Sequence, residues 1–371
     1  MNTSATTPPP DHRKRPGEIG ARSPGKLILS GEHSVVYGRP ALAVAIETYI
    51  EMWFTPLHQT GGLRTVFENL APSSFYPFDL LKGFKDGLDR RFEDFMHGGL
   101  PVQNILQRPE DLSVYALTSL LPNLPVPGSS AGGLPVPGQL TSRSEMPLGA
   151  GLGSSAAVVA ATSVLYEHLL RRPQSLQDRF ERVRFCERLQ HGRGSAIDAS
   201  AVVFGGLNRV QGDDITQIAL AEDHPLVASD AWYWVHTGTP VSKTGECVAA
   251  VRQAHGDDGA LWNAFEDCTS QFEAALHRGD DPRGILTENH ALLSRIGVVP
   301  EATKAFIAEV EAGGGAGKVS GAGAVRGDHG GIVLVYQEDA EAMSTLMQRH
   351  PGFSWQRVRI AREGAAMCPA V

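Results

Sequence analysis

Pro147-Leu148-Gly149-Ala150-Gly151-Leu152-Gly153-Ser154-Ser155-Ala156-Ala157 runs without a break into Val158 to Leu170. The second part is apolar almost all round: alanines, valines and leucines, with only Thr162 and Ser163 before Glu167. A helix with that pattern is buried. The first part brings glycines on alternate positions and a pair of hydroxyls to the helix start. Glycine lets backbone N–H groups approach a ligand, and a helix N-terminus adds free donors and the positive end of the dipole. Together these make a site for a phosphate chain. The same residues also read as a tight turn entering a core helix, with Ser154 or Ser155 as a plain N-cap. No Gly-Lys-Ser/Thr follows, and the glycine spacing is not Gly-x-Gly-x-x-Gly, so neither a Walker A loop nor a dinucleotide fingerprint is present.

The 371 residues suffice for two domains, each with its own core, and the composition is that of a soluble globular protein. A net charge of −8 argues against nucleic acid or a membrane surface as the main partner. The four cysteines, Cys186, Cys247, Cys268 and Cys368, contain no CxxC pair, which suits reduced thiols in a cytoplasm. No apolar run reaches transmembrane length, and the N-terminus lacks a signal-peptide core. Residues 1–21, with Pro8-Pro9-Pro10 and Arg13-Lys14-Arg15, read as a disordered tail.

Further along, a short strand from Lys26 to a turn at Gly31 is followed by a β-rich run from Pro40 to Ile50. A lysine at a strand start is ordinarily an edge charge, and Glu32 and His33 in a turn ordinarily face solvent. Amphipathic helices are expected over 79–96 and 110–121, and a strand over 139–146 feeds the glycine loop. Leu-Pro-Val-Pro-Gly occurs at 124–128 and again at 134–138, too few copies for a solenoid, and Gly128-Ser129-Ser130 between them has no helix behind it. In the next helix, 176–191, Leu176, Phe180, Val183 and Glu187 share one face. A carboxylate on an apolar face needs a partner. Arg184, Arg188, Arg193 or a divalent metal would serve Glu187, and the neighbouring phosphate loop favours the metal. Ser195 and Asp198 then show capping-box spacing. The second domain opens near 213–225, continues through an aromatic strand 231–236, a polar turn Thr237 to Thr244 and helices near 245–254, 259–278, 282–296 and 301–312, and closes with a strand, a helix and a strand.

The central loop matches every fixed position of Pro-x-x-x-Gly-Leu-Gly-Ser-Ser-Ala, the phosphate loop of the GHMP kinases, which this chain resembles. Ser23 to Gly38, with Lys26, Glu32 and His33, is similar to the N-terminal signature of the mevalonate-kinase branch, where these side chains face the active site. His191 to Ser200 resembles that branch's His-Gly-x-x-Ser-Gly-x-Asp, which carries its catalytic aspartate, with Ala196 in place of a glycine. Gly313 to Gly331 is similar to the third family motif, but its usual glycine run is replaced by Ala-Val-Arg-Gly-Asp-His-Gly-Gly, in which Arg326 and His329 read as solvated loop charges.

The resemblance implies an α+β fold: a domain like ribosomal protein S5 domain 2 over 22–222 and a ferredoxin-like domain over 223–371. It implies ATP-dependent phosphorylation of the mevalonate 5-hydroxyl in the cytoplasm, with ATP and Mg²⁺ as cofactors and a homodimer left open. Pro147, Gly149, Gly151, Leu152, Gly153, Ser154, Ser155 and Ala156 would bind ATP. Ser155 and Glu187 would hold the metal, Asp198 and Lys26 would be catalytic, and Glu32, His33, Ser195 and Thr239 would contact substrate. Phosphomevalonate kinase, diphosphomevalonate decarboxylase and homoserine kinase are the nearest alternatives. Intact Lys26, Ser155, Glu187 and Asp198 count against an inactive ATP-binding sensor.

Overall fold

A computed structural model describes residues 17–57, 61–67, 72–121, 137–147 and 149–369. Most of the N-terminal tail, Leu148, and the Leu-Pro-Val-Pro-Gly repeat up to residue 136 lie outside these residues.

The first sheet takes β1 (Ile19–Ser30), β2 (Ala41–Pro56), β3 (Gly62–Phe67), β4 (Ser74–Pro77), β5 (Gly138–Ser144), β6 (Leu207–Gln211) and β7 (Asp214–Ile218). The last short strand of the chain, β12 (Ala366–Met367), joins it, giving the order β12-β1-β2-β5-β3-β4, with β6 between β2 and β7. Among the described strands, only β3 and β5 pair in parallel. α3 (Ser154–Leu169) and α5 (Ala196–Phe204) pack against this sheet, α2 (Asp111–Leu120) and α4 (Leu176–His191) pack on α3, and α1 (Leu81–Met96) packs on α2. α3 is the all-apolar helix of the sequence, and Ala157, Ala160, Leu165 and Tyr166 in it are wholly enclosed. Burying side chains the size of Leu165 contributes roughly 1.5–3 kcal/mol each. Its one carboxylate, Glu167, is held by the Arg179 guanidinium at 2.6 and 3.2 Å.

β1 is longer than its sequence reading, beginning at Ile19 rather than Lys26, so residues 19–21 are strand and not tail. Pro24 sits at a register shift against β2, where its missing N–H breaks no ladder bond. Just past that shift the Lys26 N–H leaves the ladder and donates to Leu152 O at 2.9 Å, pinning the glycine loop to the strand.

The second sheet has β8 (Trp232–His236), β9 (Ala316–Ser320), β10 (Ile332–Tyr336) and β11 (Ser354–Arg357) in the antiparallel order β11-β8-β10-β9. Counted along the chain this is 4-1-3-2, the ferredoxin-like order. A short α6 (Pro225–Ala228) precedes it. α7 (Thr244–His255), α8 (Gly259–Arg278), α9 (Arg283–Arg295) and α10 (Glu301–Ala312) connect β8 to β9, and α11 (Ala340–Arg349) connects β10 to β11.

The end of the chain does not stay with the second sheet. After β11 the Val358 N–H still donates to Trp232 O on β8, and then the chain crosses over: Arg359 O accepts from Glu47 N on β2, Ile360 bridges Ile46, and β12 pairs with Ala21 and Arg22. From Arg359 on, the chain thus adds to the first sheet.

Candidate active site

Gly149, Gly151 and Gly153 all have left-handed backbones, with φ of 67°, 92° and 76°. Gly153 is the N-cap of α3, and no side chain caps that helix. The N-cap reading of the serines therefore fails, because both lie inside the first turn. α4 and α5, by contrast, are capped by Ser175 and Ser195. Leaving the donors of α3 uncapped beside a glycine loop suits an anion. Gly153 is also where a side chain has no room: a β-carbon would lie 2.9 Å from Lys26 Cγ and 3.6 Å from Asp198 Oδ1. The loop thus rests directly on these two residues.

Lys26 Nζ lies 3.0 Å from Asp198 Oδ1, with the side chains 6% and 21% exposed. Burial would push the Asp198 carboxyl up, but the Lys26 ammonium, reinforced by His191 and the Ser195 hydroxyl, holds it below the usual carboxylate range. An ionised carboxylate beneath a phosphate-type loop is placed to accept a proton. Ser195 caps α5, accepting from the Asp198 N–H at 3.3 Å. The capping-box spacing describes the backbone here, while the Asp198 carboxylate turns to Lys26.

Glu187 is enclosed on α4, 1% exposed, as are Phe180 and Val183. Leu176, assigned to the same face, opens the helix and stands clear at 49% exposed. None of the three arginines considered for Glu187 takes it. Arg184 bonds Asp213, Arg188 bonds Asp89 and the Tyr115 hydroxyl, and Arg193 lies on the surface. Glu187 Oε2 accepts from the Ser155 hydroxyl at 2.9 Å and lies 3.5 Å from His191 Nε2. Its other oxygen, Oε1, is buried without a hydrogen-bond partner. A hydroxyl and a carboxylate with a spare oxygen at the end of a phosphate loop are the hard donors that Mg²⁺ takes. Among the described residues no three His, Cys, Asp or Glu cluster as a metal cage. The pair fits an ion that keeps its other positions for phosphate oxygens and water.

Glu32 is taken up by a buried ion pair. It is 2% exposed and pairs with Lys318 Nζ, which also donates to Ile28 O and Leu29 O at 3.2 and 3.1 Å. Burial pushes the Glu32 carboxyl up and the Lys318 ammonium down, and each partner offsets part of the other's shift. Lys318 was missed as a functional residue, although a lysine inside the small-residue strand Ala316–Ser320 already lacked a polar neighbour to satisfy it. His33 follows in a left-handed backbone (φ 60°), with Nε2 3.0 Å from Ala322 O, and burial lowers its imidazole pKa. Ser320 Oγ bonds both Ile28 N and Ile28 O, at 2.9 and 3.2 Å. Alternate residues of the third motif thus clasp the turn after β1.

Thr239 is exposed, and its methyl flanks Gly149, 3.3 Å from where a β-carbon would stand. The charged insert folds onto its own domain. Arg326 pairs with Glu246 on α7 at 2.9 Å, its N–H donates to Ser242 Oγ, and Thr303 Oγ1 on α10 accepts from Gly330 N at 3.0 Å.

A family model described as the GHMP kinases N terminal domain matches residues 127–206, the span holding the glycine loop, Glu187 and Asp198. The chain is 28% identical to a mevalonate kinase of Pyrococcus horikoshii over 82% of its own length and 85% of that protein. To a mevalonate kinase of Arabidopsis thaliana it is 26% identical over 95% of its length and all of that protein. The Methanococcus jannaschii mevalonate kinase structure superposes with a TM-score of 0.74 at 18% identity, covering 94% of this chain and 99% of that one, a likeness of fold.

Proposed function

We infer, from the premise that this chain belongs to the GHMP kinase family and is an ATP-dependent kinase, that its acceptor is the 5-hydroxyl of mevalonate. The observation that carries the reading is the buried Lys26–Asp198 pair directly beneath the Gly153 loop. Relatives similar over more than four-fifths of the chain carry the name mevalonate kinase and support this choice of acceptor.

The loop from Pro147 through Ala156 cradles the triphosphate with backbone N–H groups at the start of α3. Asp198 takes the acceptor's hydroxyl proton as the freed oxygen bonds to the γ-phosphorus. The bond from that phosphorus to its bridging oxygen breaks, and ADP leaves with the electron pair. Lys26 keeps Asp198 ionised and stabilises the developing alkoxide. Ser155 and Glu187 hold Mg²⁺, which when bound neutralises charge on the phosphate oxygens. His33 and Thr239 border the acceptor. Cytoplasmic location is part of this reading, supported by the buried thiols of Cys186, Cys247 and Cys268, which form no disulfide, and a homodimer in solution is tested by light scattering.

An ADP-release screen with mevalonate, phosphomevalonate, homoserine and galactose tests the acceptor. Mevalonate should give the highest kcat/KM. A higher value for any of the other three overturns the assignment.

A further inference from the structure

His191 is the last residue of α4, one turn beyond Glu187. The basic side chains on this helix nearest Glu187 are otherwise committed: Arg184 to Asp213, Arg188 to Asp89 and Tyr115. His191 Nε2 and the Ser155 hydroxyl both approach Glu187 Oε2, at 3.5 and 2.9 Å, while Oε1 stays buried and unpartnered. The helix end that carries the imidazole is itself fixed. Gly192 closes α4 in a left-handed conformation (φ 77°), and the Phe95 ring fills the space where its side chain would be, 2.7 Å from a β-carbon.

We propose that His191 is a positioning residue for the metal site: its ring and the Ser155 hydroxyl hold one oxygen of Glu187 so that the other is presented to the ion. A carboxylate on a two-torsion stem, buried and tied at one point only, can swing its oxygens. A second tie on the same oxygen removes that freedom before the ion arrives. Groups that orient a ligand in this way typically change metal affinity by about 10- to 100-fold when removed. His191 touches neither the reacting hydroxyl nor the phosphorus, and its link to the metal site runs through Glu187. The inference rests on the assignment of Glu187 to the metal.

The test is binding of a non-hydrolysable ATP analogue by calorimetry, once with Mg²⁺ and once with EDTA, on wild type, His191→Ala, His191→Gln, Glu187→Gln and the double variant His191→Ala/Glu187→Gln. His191→Ala should weaken the Mg²⁺-loaded analogue about 10-fold or more and leave the metal-free analogue unchanged. His191→Gln, which keeps an N–H at a comparable reach, should recover most of the loss. In the Glu187→Gln background, His191→Ala should add little, because the two act as one unit. Equal weakening with and without Mg²⁺, or additive losses in the double variant, would overturn the proposal. If Glu187→Gln removes the Mg²⁺ advantage and His191→Ala does not, only the role of His191 fails. If Glu187→Gln leaves that advantage intact, the metal assignment itself fails.

Discussion

Replacing Lys318 with methionine keeps the length of the side chain and removes its charge. The structure sets the size of the effect. Glu32 and Lys318 are 1% and 0% exposed, so the carboxylate left behind has no water to replace its partner. Ile28 O and Leu29 O lose a donor at the same time. Removing one member of a buried pair costs about 3–5 kcal/mol, whereas removing both can be neutral or stabilising. Lys318→Met should therefore lower unfolding free energy by about 3–5 kcal/mol at neutral pH, and Glu32→Leu/Lys318→Met should recover at least half of that. The sign with pH follows from the direction of the Glu32 shift. Its folded pKa is already raised by burial, and without Lys318 nothing opposes that burial. A group with a raised folded pKa stabilises the fold below its unfolded value, and that contribution is lost as pH rises through the folded one. The deficit of Lys318→Met should thus be smallest near pH 4 and grow towards pH 8, with the unfolded carboxyl titrating at about 4.3. Urea titrations at several pH values measure it. A single variant within about 1 kcal/mol of wild type, or a double variant as unstable as the sum of its parts, would refute a mutually dependent buried pair.

Asp198→Asn keeps shape and an acceptor oxygen, so folding and ATP binding should hold while kcat falls by roughly 10²-fold or more. Near-wild-type turnover in steady-state assays would reduce Asp198 to a structural residue. Lys26→Met should slow the same step with the fold intact. Because Lys26 is what holds the Asp198 carboxyl low, that variant should also move the acid limb of the rate profile to higher pH, and an unmoved limb would break the link. Gly153→Ala places a methyl against Lys26 in a left-handed backbone and should cost about 1–2 kcal/mol with a matching loss of kcat, read by denaturation and turnover. Wild-type stability together with wild-type turnover would show that the loop has slack there.

Much of this molecule was legible in the chain because its signals are local. Glycines on alternate positions and an apolar helix fixed the loop and α3, and strong helical periodicity recovered α4 and α8 to the residue. What escaped depends on contacts distant in sequence. Glu32 looked like a free turn carboxylate because its partner lies nearly three hundred residues away at Lys318. Ser195 and Asp198 share one spacing with two meanings, and only the position of Lys26 shows that the carboxylate leaves the cap. Glu187 is buried beside Ser155 as its spacing implies, but its second neighbour is His191, which no sequence signal singled out, because the arginines have partners on other elements.

The return of residues 359–369 to the first sheet bears on how the chain is made. β12 pairs with Ala21 and Arg22 on β1, the strand that also carries Lys26, and the Ala361 N–H bonds Ala45 O. The half that holds the glycine loop therefore closes its sheet with a strand that comes after every strand of the second sheet. Domains usually fold in order of synthesis, N-terminal first. Here the N-terminal layer must wait for the ferredoxin-like domain to be translated whole, and contacts of such sequence separation slow folding. A fragment ending at residue 222 would lack a strand, and removing the last dozen residues would damage the nucleotide half rather than the domain they follow.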